Sequence, residues 1–158
     1  MVRIGTHCIH ELYQCEPDSL SNPDTIVNAL QEASRRGLST LLKTVHHRFE
    51  PQGVTALALL AESHISIHTW PEHRYAAADV FTCGSQARPR LACAYLVEAF
   101  SAGRHKLVEV DRGVGIPFDS GDARTPAAGE TGADDGDPAQ TGPRLRKPRQ
   151  RVAQGSHS

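Results

Sequence analysis

The chain has few aromatic residues, almost no net charge and no long apolar run. Phe, Trp and Tyr make up 5% of its 158 residues, with a single tryptophan. A formal net charge of −1 gives no electrostatic reason to expect nucleic acid or an anionic membrane as a partner. No apolar segment approaches the roughly 20 residues that a bilayer-spanning helix needs. The sequence therefore favours a single domain of ordinary size.

Cysteine is present without the spacing that metal sites or disulfide frameworks show. The four cysteines contain no C-x-x-C pair, and the nine histidines fit no zinc pattern. We therefore predict no metal. The first residues lack the apolar core of a signal peptide. We expect a reduced, cytoplasmic setting in which a thiol stays free.

Composition changes sharply after Phe118, the last aromatic residue. Residues 119–158 are rich in Gly, Ala, Pro, Asp and Thr and contain hardly any large apolar side chain. Such a segment cannot bury enough surface to offset the entropy of ordering. We predict a folded domain over residues 1–118 and a disordered polar tail over 119–158. The basic run at 144–151 is typical of a solvated tail, with polyanion binding as the alternative.

Periodicity and turn residues predict an α+β fold with the order β-α-β-β/β-β-α-β. One helix begins at the cap Asn22, with Pro23 in its first turn, and closes at Gly37. A second helix is predicted over 89–102. The predicted strands are 4–13, 39–49, 53–61, 64–70, 75–82 and 106–110. Tight turns between most strands indicate an antiparallel sheet with both helices on one face.

Residues 62–72 carry the densest group of reactive side chains. They read Glu-Ser-His-Ile-Ser-Ile-His-Thr-Trp-Pro-Glu, and residues 75–84 then read Tyr-Ala-Ala-Ala-Asp-Val-Phe-Thr-Cys-Gly. As an alternative, the first segment is a half-buried strand whose histidines face solvent and have no catalytic role. The combination with Cys83 favours a reactive site.

These two segments resemble the bacterial S-adenosylmethionine decarboxylases, and the resemblance extends over about residues 3–113. It implies a two-layer α/β sandwich, with two protomers associated through their sheets. The expected assembly is a homo-oligomer, a dimer of cleaved two-chain units. The implied function is pyruvoyl-dependent decarboxylation of S-adenosylmethionine, which supplies aminopropyl groups for spermidine biosynthesis.

The resemblance implies that the chain cleaves its own Glu62–Ser63 bond, and serine chemistry provides a route for this reaction. A serine hydroxyl can attack the preceding carbonyl, and β-elimination of the resulting ester followed by hydrolysis leaves a pyruvoyl group at position 63. This needs oxyanion donors and a base that works near neutral pH. The resemblance gives the role of base to His68. Strand alternation would put Ser63 and His68 on opposite faces, so we predict a turn at 62–63.

The resemblance implies further roles, residue by residue. Cys83 is the acid that protonates the substrate carbon, and Thr55 supports processing. Phe49 and Trp70 sandwich the adenine, and Glu72 binds the ribose hydroxyls. Arg74 stands where the family usually has glycine, beside that carboxylate.

Two other functions remain open from the sequence. The first is an ornithine or arginine decarboxylase on the same scaffold, in which the adenine slot is vestigial. The second is a non-catalytic partner of a true enzyme, which would not need to keep Ser63 or Cys83.

Overall fold

The structure is a computed structural model that describes residues 3–116. The predicted tail at 119–158 and the domain boundary at 118 lie outside the described residues. Six strands are present in this part: β1 (Gly5–Tyr13), β2 (Leu41–Arg48), β3 (Val54–Leu60), β4 (Ser63–Trp70), β5 (Tyr75–Cys83) and β6 (Arg104–Arg112). Three α-helices accompany them: α1 (Pro17–Ser21), α2 (Pro23–Arg36) and α3 (Pro89–Ala99). A single 3-10 turn, Pro71–His73, joins β4 to β5.

All six strands form one antiparallel sheet in the order β2-β3-β4-β5-β1-β6. Strand β1 therefore lies between β5 and β6, and β2, the next strand in sequence, lies at the opposite edge of the sheet. Pairing of β3 with β4 sets Leu60 opposite Ser63 and Thr55 opposite His68. The predicted antiparallel α+β architecture is confirmed.

The two faces of the sheet have different environments. Alternate residues of the inner strands are buried beneath α2 and α3, including Ala56, Ile67 and Val80. The other face, which we call the open face, carries no helix among residues 3–116. It presents the intervening positions of each strand, among them His68 and Phe81. The period of two along each strand produces this division.

Helix α2 begins and ends at the residues that the sequence indicated. The Asn22 Oδ1 atom accepts the Asp24 N–H at 2.9 Å, which satisfies a backbone donor in the first turn. At the other end, the Gly37 N–H donates to the Ala33 carbonyl at 2.8 Å. None of the described helices is both long and apolar enough to cross a membrane.

Candidate active site at the two ends of strand β4

The turn before β4 places Ser63 in a rare backbone conformation. Ala61 and Glu62 form this turn, so the predicted turn is present one residue earlier than the alternation argument suggested. Ser63 has φ of +150°, a value that residues other than glycine seldom adopt. The Ser63 Oγ lies 3.2 Å from Nδ1 of His64. The strained backbone and the hydroxyl are thus at the same residue.

The Glu62 carbonyl is held from the opposite strand. It accepts the backbone N–H of Cys83 at 2.9 Å, while the Glu62 carboxylate accepts the Thr40 N–H at 2.9 Å. Gly5 pairs with Cys83, and a Cβ added at Gly5 would lie 2.5 Å from the Thr82 carbonyl oxygen. Close approach of β1 to the end of β5 therefore requires glycine at position 5.

An open groove runs past this end of β4. Glu62, Ser63, His64 and Cys83 line it together with residues of α3 and β6, and its volume is about 2020 Å³. Enclosed ligand sites usually occupy about 300–1,000 Å³. The volume of the groove is therefore larger than that of a usual enclosed site for one small molecule.

His68 and Thr55 lie toward the other end of β4. The Thr55 hydroxyl and His68 Nδ1 are 2.9 Å apart, across the β3–β4 pair. His68 is five residue steps along the strand from Ser63, which corresponds to about 17 Å. Within one chain, the structure brings His68 to Thr55 and does not bring it to Ser63.

The three predicted substrate-binding residues are also at this far end. Trp70 ends β4, about 23 Å along the strand from Ser63. Phe49 follows β2 and packs edge-to-face on His47, with ring centroids 4.9 Å apart. Glu72 lies in the 3-10 turn and accepts a hydrogen bond from Gln52 Nε2 at 3.2 Å.

Arg74 points away from the carboxylate that it was expected to accompany. Its Nε donates to the Cys15 carbonyl at 3.0 Å, and its Nη2 reaches the Gln14 carbonyl at 3.5 Å. The Cys15 N–H in turn donates to the Arg74 carbonyl at 2.9 Å. With φ of +51°, Arg74 takes the left-handed conformation that explains why glycine suits this position. The Arg74 side chain is therefore bound to the segment that follows β1.

A second hydrogen-bonded group on the open face was missed by the sequence reading. Arg112 Nη1 lies 3.1 Å from His7 Nδ1, and His7 Nε2 lies 3.1 Å from Asp79 Oδ1. Since a guanidinium can only donate, His7 Nδ1 accepts and its Nε2–H points to the carboxylate. These residues come from β6, β1 and β5, and no spacing in the sequence reveals that the three strands are adjacent.

Burial shifts the pKa of two groups in the sheet, Tyr75 and His10. The pKa of the Tyr75 hydroxyl is raised by burial first and then by its hydrogen bond to Glu11. The pKa of His10 is lowered to about 4 by burial and, less strongly, by His105. The described part of the chain contains no group of three His, Cys, Asp or Glu side chains suited to holding a metal ion.

One open antiparallel sheet, with a strained serine and a thiol at the end of its central strands, defines a small α+β enzyme. A family model described as S-adenosylmethionine decarboxylase matches residues 6–113. The chain belongs to this S-adenosylmethionine decarboxylase family, as the motif at residues 62–72 predicted.

Individual relatives agree with that assignment. The S-adenosylmethionine decarboxylase proenzyme of Parasynechococcus marenigrum (strain WH8102) is 55% identical over 104 residues, which cover 66% of this chain and 81% of the relative. The proenzyme of Thermodesulfovibrio yellowstonii is 40% identical over 114 residues, covering 72% and 84% respectively. The crystal structure of the adenosylmethionine decarboxylase from Aquifex aeolicus VF5 aligns with a TM-score of 0.69 at 32% identity. That alignment covers 76% of this chain and 98% of the other.

Proposed function

We propose that this chain cleaves itself between Glu62 and Ser63 and then decarboxylates S-adenosylmethionine. The observation that carries the proposal is the geometry of this bond. A non-glycine residue with φ of +150° follows a carbonyl that is already bound to the Cys83 N–H. The names of the relatives, which are proenzymes, support the same reading.

The chemistry of cleavage follows from these contacts. Attack of the Ser63 Oγ on the Glu62 carbonyl carbon puts negative charge on an oxygen that already accepts the Cys83 N–H. The C–N bond then breaks to leave an ester and a free amine at residue 63. Removal of the Ser63 Cα proton expels the Glu62 carboxylate. The dehydroalanine that remains takes up water and loses ammonia, leaving a pyruvoyl group.

The pyruvoyl group supplies a carbonyl that links to the substrate amine and accepts the electron pair released with carbon dioxide. Cys83 lines the same groove as Ser63, which supports its thiol as the group that reprotonates the substrate carbon. A cysteine thiol is mostly protonated at neutral pH unless its site lowers the pKa, which suits a proton donor. The product would supply aminopropyl groups for spermidine biosynthesis.

We infer that the complete site forms between two copies of the chain. Ser63 begins β4 and Cys83 ends the neighbouring β5. His68 and Trp70 lie within the last three residues of β4, and Glu72 lies just beyond it. Two open faces packed about 10 Å apart, related by a two-fold axis that lies between them and perpendicular to the strands, would bring opposite ends of the two β4 strands together. Exposed apolar side chains support this contact; on the open face they are Ile9, Val45, Leu59, Val108 and Val110.

The position of Arg74 favours S-adenosylmethionine over ornithine or arginine. In the alternative reading, Arg74 pairs with Glu72 and fills a vestigial slot. Its bonds to the Cys15 and Gln14 carbonyls leave Glu72 available as an acceptor for ribose hydroxyls. Ornithine and arginine lack an adenine ring that could stack on the aromatic side chains of Phe49 and Trp70.

Mass spectrometry of the purified chain tests the proposal. We expect fragments 1–62 and 63–158, the second blocked at its first residue by a pyruvoyl group. Ser63→Ala removes the attacking hydroxyl and should leave one intact chain. Wild-type protein that stays full-length on prolonged incubation would exclude self-cleavage. Carbon dioxide release from S-adenosylmethionine, ornithine and arginine, measured in parallel, then identifies the substrate.

A further inference from the structure

His64 is the histidine that contacts the Ser63 hydroxyl within the chain. Its Nδ1 lies 3.2 Å from the Ser63 Oγ, whereas His68 is about 17 Å along the strand and bound to Thr55. We propose that the His64 imidazole is the catalytic base that accepts the Ser63 hydroxyl proton in the first step of cleavage. This inference rests on the proposed cleavage and assigns one of its proton transfers.

The His64 ring is held in place from the neighbouring strand. Phe81 pairs with His64 across β4 and β5, and the two rings meet edge-to-face with centroids 6.1 Å apart. Phe81 is itself packed against the Arg112 guanidinium, whose carbon lies 5.5 Å from the ring centroid. A base that is already oriented loses little entropy when it takes up the proton.

The step balances with His64 as a shuttle. The hydroxyl proton passes to His64 Nδ1 as the Ser63 Oγ forms its bond to the Glu62 carbonyl carbon. The oxyanion is held by the Cys83 N–H, and the bond from that carbon to the Ser63 nitrogen then breaks. The imidazolium returns the proton to the departing nitrogen, so the products are an ester and a neutral amine and His64 is regenerated.

The second proton transfer is assigned to a different base. Elimination removes the proton on the Ser63 Cα, and the family resemblance gives the role of processing base to His68. His68 of the partner subunit is available for this step in the two-copy arrangement proposed above. The two histidines therefore act on two bonds in sequence, and loss of each should stop the reaction at a different chemical stage.

Hydroxylamine separates these stages, because it cleaves esters and leaves ordinary amides intact under mild conditions. His68→Ala should accumulate the ester, so that hydroxylamine releases residues 1–62 as a hydroxamate and a second fragment that begins with unmodified serine. His64→Asn/His68→Ala keeps an acceptor near the Nδ1 position but cannot take up a proton. Its ester should form about 10²–10⁴-fold more slowly.

Controls make each outcome decisive. His46→Ala/His68→Ala removes an exposed histidine on β2 and should form the ester as fast as His68→Ala. Free imidazole should restore ester formation to His64→Ala/His68→Ala, and circular dichroism should show an unchanged fold. Ester formation at the His68→Ala rate in the His64→Asn double variant would overturn the role of His64. Failure of the wild type to cleave at all would instead remove the proposed function.

Discussion

At the scale of single residues, Cys83 places two separate groups at the candidate site. Its backbone N–H binds the Glu62 carbonyl at 2.9 Å, and its side chain faces the groove. A side-chain substitution leaves the N–H in place. Cleavage and turnover can therefore be tested separately at this one position.

Cys83→Ala should lower kcat by about 10²–10⁴-fold, because the proton donor is lost after carbon dioxide leaves. Substrate binding should change much less. The family resemblance also links this thiol to processing, so cleavage is measured by intact mass before kcat is determined. Cys83→Ser, which keeps an O–H donor, is the matched variant. Wild-type turnover by fully cleaved Cys83→Ala would transfer the proton-donating role to another residue.

Trp70→Ala tests the adenine slot. Stacking of a base on an aromatic ring contributes about 1–3 kcal/mol, so kcat/KM for S-adenosylmethionine should fall by roughly one to two powers of ten. Methylthioadenosine, which carries adenine and ribose without the amino acid, should compete with substrate in the wild type. If methylthioadenosine does not compete while ornithine or arginine is decarboxylated, the substrate proposed here is wrong.

His10 should make the stability of the fold depend on pH. It is 1% exposed, and within residues 3–116 its Nδ1 has no hydrogen-bond partner. With its pKa lowered to about 4 in the folded state, the unfolded chain binds a proton first as pH falls below about 6.5. Stability is therefore complete above pH 7 and declines toward pH 4, by up to about 3 kcal/mol.

Urea unfolding of wild type and His10→Leu at pH 7.5, 6 and 5 measures this contribution. The variant buries no titratable group there, so its free energy of unfolding should fall less steeply with decreasing pH. Parallel curves for the two proteins would mean that His10 is not the source of the dependence.

The motif at residues 62–72 predicted the family, but it did not predict where its side chains lie relative to one another. Residues close in sequence are far apart on an extended strand, since each adds about 3.3 Å. Ser63 and Trp70 therefore occupy opposite ends of β4. The direction of the Arg74 side chain could not be predicted either, because its acceptors at Gln14 and Cys15 become neighbours only when β1 pairs with β5.

At the scale of elements, local signals explain which parts of the fold were predictable. Helix α2 has a side-chain cap, a proline in its first turn and 14 residues of periodic pattern. Helix α1 has five residues, too few for any periodicity, and it was missed. Strand β6 extends beyond the predicted 106–110, since the arginines at its two ends make contacts with neighbouring strands. Arg104 and Arg112 pack their guanidinium groups over Tyr13 and Phe81, contacts that only the folded sheet creates.

The turn from β4 to β5 depends on Arg74 in two ways that act in opposite directions. The left-handed backbone favours glycine, whereas the side chain binds two carbonyls of the segment after β1. Arg74→Ala loses these bonds and keeps the strain, so we expect a loss of about 1–2 kcal/mol in the free energy of unfolding. Arg74→Gly relieves the strain and should lie between Ala and wild type. Equal stability of the two variants in urea would contradict this account.

At the scale of the whole molecule, the proposed two-copy site requires Ser63 of one chain and His68 of the other. Co-expression of a Ser63→Ala chain with a His68→Ala chain tests this directly. In mixed dimers, one of the two sites combines an intact Ser63 with an intact His68. Random pairing should therefore restore about a quarter of the sites, although neither variant is active alone. A mixture as inactive as its components would show that each site lies within one chain.

The strand order also determines how the two fragments of the proposed cleavage would be held together. Residues 1–62 contribute β1, β2 and β3, and β1 is inserted between β5 and β6 of the other fragment. The strands of the two fragments are therefore interleaved in one sheet. Separating the fragments would break three strand pairings, β1–β5, β1–β6 and β3–β4. Once such a protein unfolds, however, its halves diffuse apart and must meet again to refold. Its melting temperature should then rise with protein concentration, because refolding requires two fragments to associate. The uncleaved chain, in contrast, refolds as a single molecule.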